Sequence, residues 1–116
     1  MKTYQMINLS SKRVMAEHIT IATSFFQRAK GLLGCSKLKD TEGIYIPNCR
    51  SIHMFFMMFS IDAIFVDREM KITKIIQNLK PFMIGFGTLK SKGVIELSNG
   101  FLRTNSCNIG DKINFY

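Results

Sequence analysis

The chain has 116 residues, 47% of them hydrophobic, and sixteen Lys and Arg against eight Asp and Glu give a net charge of +8. That length makes one small domain, and that apolar fraction excludes intrinsic disorder. Eight Gly and two Pro exclude collagen-like or linker sequence, and three Cys, an odd number, argue against a disulfide framework.

Residues 14–22 alternate imperfectly between apolar and polar and read as a strand. Ser24 with Gln27 three positions on makes a capping box for a helix. Phe25, Phe26, Ala29, Leu32 and Leu33 then recur at helical spacing, Gly34 is its stop, and Arg28 and Lys30 lie off that stripe. After a polar loop, residues 43–46 read as a short strand closed by Pro47. Residues 60–67 and 71–76 read as two strands of a hairpin turning at residues 67–69. Residues 81–87 read as a loop carrying Gly85 and Gly87, a candidate lid or rim. Residues 94–97 form another strand, Ser98, Asn99 and Gly100 open a short turn or helix, and residues 108–111 turn into a last strand over 112–116. The expected fold is α+β, mainly β. It is a single domain over 1–116, a largely antiparallel curled sheet or partial barrel with one main helix.

Asp62 is the most informative position. Ile61, Ala63 and Phe65 share one face of its strand, and Ile64 and Val66 share the other. A carboxylate among apolar neighbours must meet a cation or several donors. Arg28 and His53 are the cations considered, and a fork from Arg28 to Asp62 would link helix to sheet. Glu96 stands in the same way within its own strand, on the face of Val94. Each carboxylate can be structural, as an ion-pair partner, turn anchor or edge cap, or can line a site.

Cys49 and His53 have the makings of a thiol–imidazole pair, on a condition. If residues 49–53 are extended, the two Cα atoms stand ~13 Å apart at ~3.3 Å per residue. If the chain makes one helical turn at Arg50 and Ser51, they stand ~6 Å apart. Otherwise Cys49 is a small buried hydrophobe and His53 a core or rim histidine. Cys49, His53, Met54, Met57 and Met58 are soft enough for Cu(I), yet Met among Phe55, Phe56 and Phe59 is ordinary core filling, so no metal and no cofactor is assigned. No phosphate loop, nucleophile elbow or zinc-protease motif occurs.

The basic residues are scattered, in pairs at most (Lys12 with Arg13), and no nucleic-acid-binding signature accompanies them. Any nucleic-acid binding is expected to be weak, salt-sensitive and blind to sequence. Thr3, Gln5 and Asn8 interrupt any apolar leader behind Lys2. The longest apolar stretch, residues 52–66, contains His53, Ser60 and Asp62 and falls short of the roughly 20 residues that span a bilayer. A cytoplasmic protein with reduced thiols and no membrane span is expected.

The run from Cys49 through Ser51, Ile52, His53, Met57, Ile61, Asp62 and Phe65 to Asp67 closely resembles the central signature of the domain of unknown function 192 family, also called uncharacterised protein family 0127. Arg28 with Gly31, Leu32 and Leu33 resembles its Arg-x-x-Gly-Leu element. Glu96, Leu97 and Gly100 resemble its Leu-Glu-Leu-x-x-Gly element, and Gly110 with Asp111 its closing turn. The resemblance covers about residues 14–116. It implies a small, mainly β domain with no established reaction. The family's recurring polar positions fall on Arg28, Cys49, His53, Asp62, Asp67, Glu96 and Asp111. Leu33 stands where Met is more usual, and Asn99 where a small residue is commoner.

Two function classes follow. The favoured one is a binding module, with a polar pocket of Arg28, His53, Asp62 and Glu96 in an aromatic- and Met-lined cleft for a small ligand or peptide partner. The alternative is a small enzyme using His53 as acid or base, with Cys49, Asp62 and Glu96 as further candidates.

Overall fold

The computed structural model describes residues 2–22, 38–54 and 58–116. Among the described residues nine strands and one short helix follow in order: β1 (Tyr4–Asn8), β2 (Arg13–Ile21), β3 (Glu42–Pro47), β4 (Ser51–His53), β5 (Ile61–Val66), β6 (Ile72–Leu79), β7 (Ile84–Phe86), β8 (Gly93–Ser98), α1 (Phe101–Thr104) and β9 (Ile113–Phe115). The helix expected over residues 24–34, with Arg28 on it, lies outside the described residues.

Seven strands form one sheet in the order β6-β5-β8-β3-β2-β1-β9, and β4 and β7 pair as a separate ribbon. Every neighbouring pair of the large sheet is antiparallel except β2 with β3. Two adjacent interior strands are the ones whose sequences are largely apolar on both faces: every residue of β5 and of β8 is buried. A strand covered on both faces has no polar side to alternate with.

Odd and even positions of β5 feed two separate cores. Ile64 and Val66 join Met6, Ile19, Ile72, Ile95, Leu97 and Ile113. These come from both edges and the middle of the sheet, so the sheet curls around them. Ile61, Ala63 and Phe65 join Ile46, Ile52, Leu79 and Val94 on the other face. Phe65 is fully buried there; burying one such side chain is worth about 1.5–3 kcal/mol.

The sheet is curled, as expected, and does not close into a barrel. Its edge strands β6 and β9 meet at one corner only, through an isolated bridge between Lys71 and Lys112. The Ile113 amide donates to the Met70 carbonyl at 2.9 Å, and Ile72 to Asp111 at 2.9 Å. With β9 only three residues long, the pairing cannot extend.

The residue 81–87 stretch is not a bare loop. It carries β7, whose Gly85 pairs with Ile52 of β4. A Cβ at Gly85 would lie 3.0 Å from Leu79 Cδ2 and 3.1 Å from Ile76 Cδ1, so that glycine seats the ribbon on the sheet. Gly43 does the same work inside the sheet. A Cβ there would sit 2.8 Å from both Ile19 Cδ1 and Leu97 Cδ2, and 2.9 Å from the backbone oxygen of Glu96. Gly43→Ala is therefore expected to cost about 1–3 kcal/mol as overpacking. An unchanged melting temperature would show that β8 yields at this point.

Candidate functional site

The three aspartates singled out by the sequence all build backbone. Asp62 is 1% exposed. One carboxylate oxygen, Oδ1, accepts the Asn78 amide at 2.9 Å, and Oδ2 accepts the Leu102 amide at 3.0 Å. Asn78 has φ 57° and sits where β6 carries an extra residue, between the pairs Ile61↔Leu79 and Ala63↔Ile76. Such a bulge leaves an amide outside the ladder. Leu102 is in the first turn of α1, whose N-terminal residue Gly100 has no side chain to cap with. One buried carboxylate thus satisfies a bulge and a helix start. The several donors that its burial demanded are backbone amides; the fork from Arg28 falls outside the described residues.

Asp67 holds the β5–β6 turn, its Oδ1 accepting the Glu69 and Lys71 amides at 2.8 and 2.9 Å. Asp111 Oδ2 accepts from the Asn108 amide and from Asn8 Nδ2, both at 2.9 Å. Short acidic side chains that bond nearby amides are the ordinary makers of turns.

Glu96 is different. It is 8% exposed and makes no hydrogen bond or ion pair among the described residues. It stands directly across from Ala63 on one side and Ile44 on the other. That apolar setting removes water from the carboxyl and pushes its pKa up from 4.5 to about 7.

Register also decides what the carboxylates can do together. Glu96 pairs with Ala63 and Asp62 with Leu97. Opposed residues of an antiparallel pair point to the same face, so Asp62 and Glu96 point to opposite faces. The expected four-residue pocket, with Asp62 and Glu96 in one cleft, is not assembled. Parity of each residue within its own strand was legible in the sequence; the register between β5 and β8 was not.

Cys49 is half-buried rather than buried, and its thiol donates to the Ser51 carbonyl at 3.0 Å. Ser51–His53 run as strand β4. The helical turn on which a Cys49–His53 pair depends is not made. His53 lies on the exposed side of the ribbon, across from Ile84. Of the soft-ligand group, Met54 is buried in the core and Met58 is exposed, while Met57 lies outside the described residues.

Ser98 was missed as a site residue because it was read as the opening of a turn. It continues the alternation of β8 and shares the face of Glu96. It is 5% exposed, and its Oγ is buried with no hydrogen-bond partner. An open hollow of about 440 Å³ lies beside it, lined by Ser98, Asn99, Leu38, Lys39, Asp40, Phe59 and Ser60. Buried polar atoms are bonded in the great majority of cases, so an unbonded hydroxyl on the face of a buried carboxyl is a signal.

The family model for DUF192, "Uncharacterized ACR", matches residues 6–115. The chain belongs to the DUF192 family. The match begins inside β1, earlier than the residue 14 start expected for the family core. A UPF0127 protein of Pyrococcus horikoshii is 31% identical over 113 residues, 95% of this chain and 97% of that protein. One from Thermococcus sibiricus is 29% identical over 114 residues, 95% of this chain and 73% of that protein. The fold is also that of a solved protein of unknown function from Novosphingobium aromaticivorans (TM-score 0.80, 22% identity, 97% of this chain and 83% of that one). A putative transcription regulator from Sinorhizobium meliloti is similar too (TM-score 0.76, 21% identity, 97% and 91%). Of the polar positions that recur in DUF192, Asp62, Asp67 and Asp111 are occupied with backbone amides here, and Glu96 is not. No helix among the described residues is long and apolar enough to cross a membrane.

Proposed function

We propose that this DUF192 domain is a small-ligand binding module whose site lies on the Glu96 face of β8. The observation that carries it is the buried Ser98 hydroxyl, without a hydrogen-bond partner among the described residues, which lines the hollow with Lys39 and Phe59 and shares a strand face with the buried Glu96. Two residues apart on one strand face, they stand ~7 Å apart, a span that one small molecule bridges. Glu96 offers only acceptors when ionised, and Ser98 both donates and accepts. The fitting ligand carries a protonated amine or N–H donor for Glu96, a polar group for Ser98 and an apolar body for Phe59 and Leu38. The thiols of Cys49 and Cys107, both free, agree with a reducing, cytoplasmic setting. Arg28 and His53 stay in this reading as the further candidate ligand groups that the sequence named.

A second reading, a small enzyme, has one specific observation behind it. A carboxyl poised near pH 7 suits general acid–base chemistry. It rests on Glu96 rather than on His53 with Cys49.

A heteronuclear NMR titration with ethanolamine, agmatine and the free amino acids tests the module. At least one should shift the amides of residues 96–99, and Glu96→Gln and Ser98→Ala should each weaken that binding by about tenfold, the value of one lost hydrogen bond to a charged group. A panel that shifts nothing, or shifts that survive both substitutions, would overturn the reading.

A further inference from the structure

The β4–β7 ribbon shows its apolar side to water. In β7, Gly85 is turned in while Ile84 and Phe86 are exposed, and Met83 beside them is exposed as well. The turns that flank β7 carry Phe82, 74% exposed, and Leu89, 86% exposed. Five exposed large apolar side chains fall within eight residues, and grouped apolar exposure of this kind marks interaction surfaces.

The backbone holds Phe82 there at a cost. The Met83 amide donates to the Lys80 carbonyl at 3.1 Å, closing a turn with Pro81 and Phe82 at its centre. Phe82 has φ 67°, the left-handed region that the third residue of this turn type requires. Glycine or asparagine is the usual occupant, and a bulky side chain there is strained. Strain kept in order to expose an aromatic ring is a mark of function.

Charge around the patch has one sign. Residues 43–61 and 70–95 contain no Asp or Glu. Arg50, Lys80, Lys90 and Lys92 are all exposed around the ribbon. We propose that this ribbon docks the protein on an anionic lipid surface. Phe82, Ile84, Phe86 and Leu89 enter the interfacial layer, and Arg50, Lys80, Lys90 and Lys92 face the headgroups. A single-stranded nucleic acid would match the charge and could stack on the two phenylalanines. Met83, Ile84 and Leu89 give a base nothing to stack on, whereas all five gain by leaving water for acyl chains. This surface is separate from the Glu96 site and stands or falls without it.

Co-sedimentation of the full chain with phosphatidylcholine vesicles, with and without phosphatidylserine, is the test. Binding should require phosphatidylserine, weaken with added salt, and fall at least about tenfold in Phe82→Gly and in Leu89→Ser, since affinity follows the apolar area inserted. Glycine accepts the φ of residue 82, so Phe82→Gly should melt no lower than the parent, and lost binding cannot then be put down to misfolding. Absence of binding to phosphatidylserine vesicles, or Phe82→Gly binding as well as the parent, overturns the proposal. So does tight binding to single-stranded RNA without vesicle binding, or sedimentation as a dimer that Phe82→Gly dissociates.

Discussion

Asp62→Ala is expected to remove about 2–5 kcal/mol of stability, read as a fall in the urea midpoint. The substitution strips the acceptors from the Asn78 and Leu102 amides at once. Each is a hydrogen bond to a charged group, worth about 1.5–3 kcal/mol, with the buried Leu102 amide at the upper end and the amide of exposed Asn78 at the lower. Against a total stability of about 5–15 kcal/mol, that is a large share. Asp62→Asn keeps one carbonyl acceptor and should lose about half as much, because only one of the two amides is stranded. The two amides belong to different elements, so the loss should appear in hydrogen exchange at both the β6 bulge and the start of α1. A loss below about 1 kcal/mol in Asp62→Ala would mean that water replaces the carboxylate at both sites.

The second large effect is a pH dependence owed to Glu96. Burial raises its carboxyl from 4.5 to about 7 in the folded protein. The unfolded chain ionises it near 4.5, so between these values the unfolded state releases a proton that the folded state keeps. The contribution of Glu96 to folding stability is therefore greatest below pH 4.5, falls as pH rises towards about 7, and levels off above it. A gap of this size corresponds to stability on the order of 3 kcal/mol, at 1.36 kcal/mol per pKa unit. Glu96→Gln should abolish this part of the slope and be more stable than the parent at pH 8, by up to about the same amount. Urea midpoints of both proteins across the pH range decide it; parallel curves would mean that Glu96 is solvated or paired. The same carboxyl should release its proton when a cationic ligand binds near neutral pH, which ties this measurement to the proposed site.

Much of the sheet could be read from local pattern. Residues 61–66 and 94–97 are apolar on both sides, which marks central strands, and Asp67 and Asp111 announced their turns because an Asx side chain acts within a few residues. β1 could not be read in that way. The Oδ1 of its buried Asn8 accepts the nearby Ser10 and Ser11 amides, but its Nδ2 finds an acceptor only in Asp111, about a hundred residues on. β7 hid behind Pro81 and two glycines, and the reason for Gly85 is pressure from Leu79, Ile76 and Ile52, none of them close in sequence. The candidate site failed at the same level. Two carboxylates, each correctly placed on a buried strand, were assumed to converge, but the pairing of Ala63 with Glu96 sends them apart. Ser98 could have been found by extending the β8 alternation one step further.

The pairing of β1 with β9 sets an order of events during synthesis. Met6, Ile7 and Asn8 take Phe115, Asn114 and Ile113 as partners, and Gln5 exchanges backbone hydrogen bonds with Tyr116. β1 must therefore wait for β9, more than a hundred residues later. Closing so long a loop is slow, because its entropy is lost before the contacts form. Until β9 leaves the ribosome, the outer edge of β1 is an open template for another chain. A nascent molecule can settle β2, β3, β5, β6 and β8 early, but the β1 edge remains open to misassembly until β9 is made.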